Sequence, residues 1–223
     1  MADKLREYTS DAIVVRFDVK RCIHAEKCVK GLPAVFDRNR KPWVDPSKGE
    51  ADGIANVVKS CPTGALSFSR KDGGLEETPP ERNCITIGTD GPVYVTGDIE
   101  LHTHDGVEKH TRLALCRCGA AQNKPFCDNA HEDIGFRHDG SFAKQPVTAE
   151  LGGPIAIRVR ENGSLLVEGN FQMESGDGSH AMLFSGKTWL CRCGHSENKP
   201  FCDGTHKKVG FEAAGVPRES RSS

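Results

Sequence analysis

The sequence predicts an α+β protein: a small α+β domain followed by two β-rich copies of one unit that pack as an internal pseudo-dimer. Three observations carry this. The N-terminal part alternates between strand and helix patterns. The chain from Cys84 onward repeats itself. Within that repeat, the pattern C-x-C-x8-C-x3-H occurs twice, at Cys116 to His131 (CRCGAAQNKPFCDNAH) and at Cys191 to His206 (CRCGHSENKPFCDGTH).

In chain order, DAIVVRF reads as a strand with Ile13, Val15 and Phe17 on one face. KRCIHAEKC is a cysteine-bearing loop running into a short helix that Pro33 limits. The stretch around Trp43 and Val44 reads as a short strand or turn. ADGIANVVKS is an amphipathic helix with Ile54, Val57 and Val58 inward, ended by Cys61-Pro62, and LSFS with Leu66 and Phe68 is the last strand. Residues 70–83 have linker composition, with Gly-Gly and Pro-Pro, and a second polar connection runs from Asp139 to Pro154.

Between and after these connections, CITIGTDGPVYVTGDIEL aligns with AIRVRENGSLLVEGNFQM. Ile85 matches Ile157, Val95 matches Val167 and Ile99 matches Phe171, around a DG turn in one copy and an NG turn in the other. The offset is 72 residues there and 75 at the cysteine motifs, so the second copy carries a three-residue insertion. The expected domains are 1–72, 82–140 and 152–215. A copy of roughly 60 residues buries little core alone, so a metal centre would staple it.

The 223 residues carry a net charge of −1 without a basic stripe, which argues against nucleic acid. No run approaches the ~18 apolar residues of a membrane span. MADKLREYTSD has no apolar signal region. The expected compartment is a reducing cytoplasm, where ten cysteines point to metal rather than disulfides.

Cysteines one residue apart point to the same side of an extended strand, as Cys191 and Cys193 would. Cys202 and His206 are four apart; with Asp203 as a helix cap they share one face of a first turn. Pro200 fixes the approach to Cys202, Gly204 leaves room, and the helix N-terminus and Lys199 favour an anionic centre. Two centres fit three Cys and one His. One is structural zinc. The other is a [2Fe-2S] cluster with two cysteines on one iron and the Cys–His pair on the other; the tight C-x-C and the compact span favour it.

The string CRCG-x-S-x-NKPFCDGTH resembles the CDGSH iron–sulfur domain of the mitoNEET family, and both copies resemble it over the full motif. The resemblance implies two [2Fe-2S] clusters, with ligands Cys116, Cys118, Cys127 and His131, and Cys191, Cys193, Cys202 and His206. It also implies that two such domains in one chain form the dimer-like arrangement internally. The first copy departs from the second: Asn129-Ala130 replaces Gly204-Thr205, and Ala121 replaces Ser196. A hydroxyl near the cluster sulfurs is thereby missing, so the first cluster is expected to have the lower potential. GDGSH at Gly176 to His180 has no cysteine before it; it reads as a loop, with His180 no ligand.

Cys22, Cys28 and Cys61-Pro62 resemble a bacterial ferredoxin pattern in which Ala25 stands at the middle position. The bland alternative is three buried thiols. RCIHAEKCVKGLPAVFD…SCPTGAL, over residues 8–69, resembles the divergent single-cluster ferredoxin domain often fused to CDGSH domains. Three cysteines suit a [3Fe-4S] cluster directly; the [4Fe-4S] cluster that the resemblance implies needs a fourth ligand, for which His24 is the nearest candidate.

Cys84 reads as a buried structural thiol, His102, His104 and His110 as a solvated loop, and Asp128 and Asp203 as helix caps. His195 has Ala120 as its repeat partner and is no ligand. No catalytic set appears, so the chain is not expected to be an enzyme. The expected function is electron transfer through three clusters, with a redox partner protein, in a monomer. The neutral imidazole should raise the potential, and its protonation should couple to reduction and to acid release of the cluster. The alternatives are an iron–sulfur cluster carrier or redox or iron sensor serving an apo-acceptor, and a zinc-stapled interaction module.

Overall fold

The computed structural model describes residues 5–143 and 152–216. The chain divides into two compact units, Met1–Thr78 and Pro79–Ser223.

The first unit holds an antiparallel sheet of β1 (Arg6–Thr9), β2 (Ile13–Phe17) and β3 (Leu66–Arg70), in that spatial order. Ile13, Val15 and Phe17 are buried as their alternation requires. β1 is an addition to the expected elements. Its REYT sequence lies almost wholly exposed at the sheet edge, so it carries no apolar pattern to read. α1 (Lys27–Gly31) stops short of Pro33. α2 (Ala51–Lys59) buries Ile54 and Val58, with Val57 partly covered. Around Trp43 there is no strand among the described residues, only an isolated bridge between Phe36 and Val44. The indole instead meets Tyr8, Phe17 and Phe36 at ring-centroid distances of 4.9–6.4 Å. Of the two expected readings, strand or turn, the turn is found, and it is held by packing of the aromatic ring.

The second unit contains both repeats. The first copy supplies β4 (Cys84–Ile87), β5 (Val93–Thr103), β6 (Gly106–Leu115) and α3 (Ala130–Asp133). The second supplies β7 (Ile155–Val159), β8 (Leu165–Ser175), β9 (Ala181–Leu190) and α4 (Thr205–Lys208). Pairing is reciprocal. β4 lies antiparallel to β5 of its own copy and parallel to β8 of the other. β7 lies antiparallel to β8 and parallel to β5. Each copy's first strand thus fills an edge of the other copy's long hairpin. Buried apolar side chains from both copies, among them Ile85, Val95, Leu113, Ile157, Val167 and Leu190, form one core. Residues 144–151, within the second polar connection, lie outside the described residues.

The crossing of the two copies is pinned by Asn83, a residue the pattern reading passes over. It is 2% exposed. Its Nδ2 donates to the carbonyls of Gly153 (2.7 Å) and Asn170 (2.9 Å), and its Oδ1 accepts from the Asp98 N–H at 2.9 Å. These partners stand where β5 shifts register between Thr96 and Ile99 and where β8 passes from β7 to β4. Removing the amide would leave three backbone groups without this partner in a buried place. Asn83→Ala is expected to cost about 2 kcal/mol or more, read as a lowered midpoint in chemical denaturation of the cofactor-loaded chain.

Candidate metal centres

Each cysteine motif begins where a long strand ends. Past β6, Cys116 N–H donates to Pro125 O at 2.8 Å and Cys127 N–H to Ala114 O at 2.9 Å. Past β9, Cys191 N–H donates to Pro200 O at 2.7 Å and Cys202 N–H to Trp189 O at 2.8 Å. These bonds fold the third cysteine back beside the first. The Sγ atoms of Cys116 and Cys118 are 3.7 Å apart, and those of Cys191 and Cys193 are 3.8 Å apart. Opposite them, Cys127 Sγ lies 3.5 Å from His131 Nδ1, and Cys202 Sγ 3.3 Å from His206 Nδ1.

These distances test which metal fits. Two thiolates on one tetrahedral ion, each at about 2.3 Å, lie about 3.8 Å apart, and a thiolate and an imidazole nitrogen about 3.6 Å apart. Every pair matches one metal position. Among the described residues, however, no three His, Cys, Asp or Glu side chains gather closely enough to hold a single ion. A one-metal Cys3His site would bring all four together. The arrangement fits ligands shared between two metal positions.

The local electrostatics suit bound thiolates. Cys116 and Cys191 are held down to about 6, by the neighbouring thiols of Cys118 and Cys193 and by backbone N–H groups of the loop, against burial. Cys118 and Cys193 are pushed far up, first by the hydrogen bond each thiol gives its ionised neighbour, then by burial, with repulsion between the two charges adding to it. Burial raises Cys127 to about 11 and also raises Cys202. Backbone donors aim at the sulfurs: Ala120 N to Cys118 and His195 N to Cys193, both at 3.5 Å, and Asn129 N to Cys127 at 3.4 Å. His195 therefore contributes its amide, as its repeat partner Ala120 does.

Asp128 and Asp203, expected as the helix caps, stand one residue ahead of them, the cap positions being Asn129 and Gly204. Asp203 accepts from Thr205 N at 3.0 Å and from Glu197 N at 2.9 Å, tying the loop to α4; Asp128 accepts from Ala130 N and Gln122 N in the same way. The residue at the head of each short helix is Gly204 (φ 90°) or Asn129 (φ 70°), both left-handed. Gly204 is thus needed for its backbone, not to leave room: nothing lies within 4 Å of where its Cβ would be. Asn tolerates the same conformation, so the first copy's Asn129 is a conformational equivalent.

Ser196 also differs from expectation. Its hydroxyl donates to Phe201 O at 2.6 Å and accepts from Asn198 N at 3.1 Å, so it staples the loop. Lys199 donates to Ser196 O and Lys124 to Ala121 O, likewise within the loop.

Two buried arginines were missed, although C-R-C stands in both motifs. Arg117 and Arg192 are each 1% exposed. Arg117 donates to the carbonyls of Gly88 and Gly91 in the β4–β5 turn, and Arg192 to that of Arg160 in the β7–β8 turn and to that of Ala214 beyond α4. Burial lowers both to about 10, well within the charged range at neutral pH. The two loops also touch: a Cβ on Gly119 would run into Cys193 O, and one on Gly194 into Cys118 O.

In the first unit, Cys22, His24, Ala25, Cys28 and Cys61 line one cavity of about 580 Å³. Thr63 Oγ1 lies 3.5 Å from Cys61 Sγ and accepts from Ala65 N at 3.1 Å. His24 (φ 55°) and Glu26 (φ 60°) are both left-handed, a loop shape that nothing in their residue types announces. Burial raises the Cys22 and Cys28 thiols. The three sulfurs do not surround one ion, which again fits a cluster whose irons each take one cysteine.

The remaining candidates do not converge. His102 meets Arg158, His104 meets Asp105 and His110 meets Glu108. His180 packs near Phe142 and contacts Ser179 in the turn between β8 and β9. Cys84 is half-buried, with its thiol pushed up to about 11 by burial. No described helix is long and apolar enough to cross a membrane.

Comparison with known families agrees with this geometry. A family described as "Divergent 4Fe-4S mono-cluster" matches residues 8–71, and one described as "Iron-binding zinc finger CDGSH type" matches twice, at 90–132 and 162–207. The chain is a two-repeat CDGSH protein led by a divergent 4Fe-4S mono-cluster domain. It is therefore an iron–sulfur protein. It is similar, at 36% identity over 66 residues, to the Escherichia coli (strain K12) protein named "Uncharacterized protein YjdI", a match spanning 30% of this chain and 87% of that protein. The protein of the same name from Escherichia coli O157:H7 matches equally.

The Gly204 backbone generates a test of the second CDGSH motif. Gly204→Asn is expected to keep the centre, as Asn129 does in the first. Gly204→Val is expected to cost about 1–2 kcal/mol and to lower iron retention, both measurable by denaturation midpoint and metal content.

Proposed function

We propose that this chain is an electron-transfer protein with one [2Fe-2S] cluster in each CDGSH motif and one [4Fe-4S] or [3Fe-4S] cluster in the N-terminal domain. The supporting observation is the division of each CDGSH ligand set into a Cys–Cys pair and a Cys–His pair, each at single-metal spacing, without convergence of three on one ion. Clusters in these positions supply one-electron uptake and release.

The chain's own residues do the rest. Buried thiolates and Nδ1 of His131 and His206 hold the irons. Backbone N–H groups take up part of the sulfur charge, and buried Arg117 and Arg192 keep positive charge beside anionic centres. A neutral imidazole in place of a thiolate makes each CDGSH centre less negative and easier to reduce than an all-cysteine one. The histidine side of the second motif borders a concavity of about 500 Å³ with Glu161, Asn162 and Lys207, which gives a redox partner protein an approach to that edge. The two copies act as an internal pseudo-dimer in a monomeric chain. The centres are unequal: exposed Glu132 and Asp133 follow the first ligand histidine, and exposed Lys207 and Lys208 follow the second, so the second is the easier to reduce.

Iron and acid-labile sulfide analysis of the purified chain tests this. The expected result is a coloured protein with about seven or eight irons and about eight acid-labile sulfides per chain; a colourless protein with zinc and no sulfide would overturn it. At the N-terminal centre, His24→Ala is expected to alter the electron paramagnetic resonance signal if His24 is the fourth ligand. An unchanged signal removes His24 and leaves the three cysteines.

A further inference from the structure

The N-terminal centre differs from the CDGSH centres in how it meets the surface. Cys22, Cys28 and Cys61 are all half-buried, whereas Cys202 alone is half-buried among the six CDGSH cysteines and the others are buried. The loop between Cys22 and Cys28 carries exposed His24 and Ala25. A protein that docks over this loop comes close to the ligand sulfurs.

Charge is segregated around this opening. Five cations line the cavity: Arg6 from β1, Lys27 at the start of α1, and Arg38, Arg40 and Lys41 from the turn before Trp43. Glu26 is the single carboxylate among the lining residues, and it is engaged twice, by Lys30 at 2.9 Å and by Arg38 at 2.5 Å. Arg40 is fixed without being neutralised, because its guanidinium donates to the carbonyls of Ala34, Val35 and Pro42. Arg6, Lys27 and Lys41 are exposed, and Arg38 alone of the five has a carboxylate partner among the described residues. Other carboxylates of this unit hold cations that do not line the cavity: Glu7 holds Arg16, and Asp52 and Asp72 hold Arg70. Tyr8 and Trp43, both half-buried, line the same cavity and meet edge-on at 6.4 Å between ring centroids. Aromatic rings with arginines around them have the composition of a docking hot spot.

We propose that the mouth of the N-terminal cavity is a docking surface for an acidic one-electron redox protein, with Arg6, Lys27, Arg38 and Lys41 placed around Tyr8 and Trp43. The occupant follows from charge. A surface rich in carboxylates finds cations here on three separate elements, and three of those cations have no carboxylate of their own to give up. Opposite charge steers the encounter and orients the partner, so it acts on the rate of association more than on affinity, and salt screens it. Once docked, one electron crosses between the partner's centre and the N-terminal cluster. One is oxidised, the other is reduced, and no bond is made or broken. This rests on the reading of that cluster as an electron-transfer centre.

The test mixes the full, cluster-loaded and reduced chain in a stopped flow with two forms of one haem protein. Native ferricytochrome c is basic; succinylated ferricytochrome c, its lysines modified, is acidic. The cluster gives the electron and the ferric haem takes it. The phase lost in Cys61→Ser belongs to the N-terminal centre. In that phase the succinylated form is expected to react faster than the native form at low salt, and to slow as salt is added. Lys27→Glu combined with Lys41→Glu should slow it about tenfold, with iron, sulfide and the electron paramagnetic resonance signal unchanged. Lys27→Arg combined with Lys41→Arg should keep the wild-type rate, and Lys109→Glu, a charge reversal on exposed β6, should leave it near wild type. The docking surface is overturned, while the cluster stands, if the native form reacts as fast or faster, or if the doubly reversed variant keeps the wild-type rate. Saturable slowing by inorganic phosphate at constant ionic strength would assign the cations to a small anion and overturn it too, as would a Cys61→Ser chain that loses iron but no phase. If Cys61→Ser loses neither iron nor a phase, the reading of the N-terminal cluster falls first.

Discussion

Two buried thiols held 3.7–3.8 Å apart are a poor arrangement for a protein without a cation between them. One of each pair ionises readily and the other resists, because its hydrogen bond to the first thiolate, its burial and the repulsion of a second charge all oppose its ionisation. The conflict disappears when both bind one metal. Much of the second unit serves to hold this approach. The strand ends place the cysteines, the third-cysteine segment folds back by two backbone hydrogen bonds, and the intervening arginine reaches away to the turn behind the loop.

The exchange of strands between copies follows from size. A single copy offers two long strands and one short one, with its ligand loop carrying little apolar surface. By lending β4 to β8 and β7 to β5, the copies close one core between them. The same exchange brings the two ligand loops together, with Gly119 against Cys193 O and Gly194 against Cys118 O, where a side chain would not fit. Core formation and the placing of the centres are thus one event.

The Cys–Cys and Cys–His pairings were legible in the sequence because they are local: C-x-C at a strand end and C-x3-H at a helix start are spacings within one or two turns of chain. Alternation likewise marked β2, β3 and the paired strands of the repeat. Features that depend on residues far apart in sequence were not legible. Asn83 reaches Asn170 across the exchanged strands. The edge strand β1 has no buried face to mark it, and Trp43 answers to three aromatic rings drawn from other elements. Ser196 is instructive in the other direction. Its place inside the motif suggested a sulfur partner, and only the loop geometry shows that its hydroxyl is committed to the Phe201 carbonyl.

The central claim is that each CDGSH motif splits its four ligands between two irons, a Cys–Cys pair on one and a Cys–His pair on the other. Mössbauer spectroscopy of isotopically enriched protein, oxidised and then reduced, addresses it most directly. The account expects two inequivalent, coupled iron sites per motif, with the added electron residing on the site that has the histidine. A single class of uncoupled iron, or a reduced state with both sites alike, would contradict it.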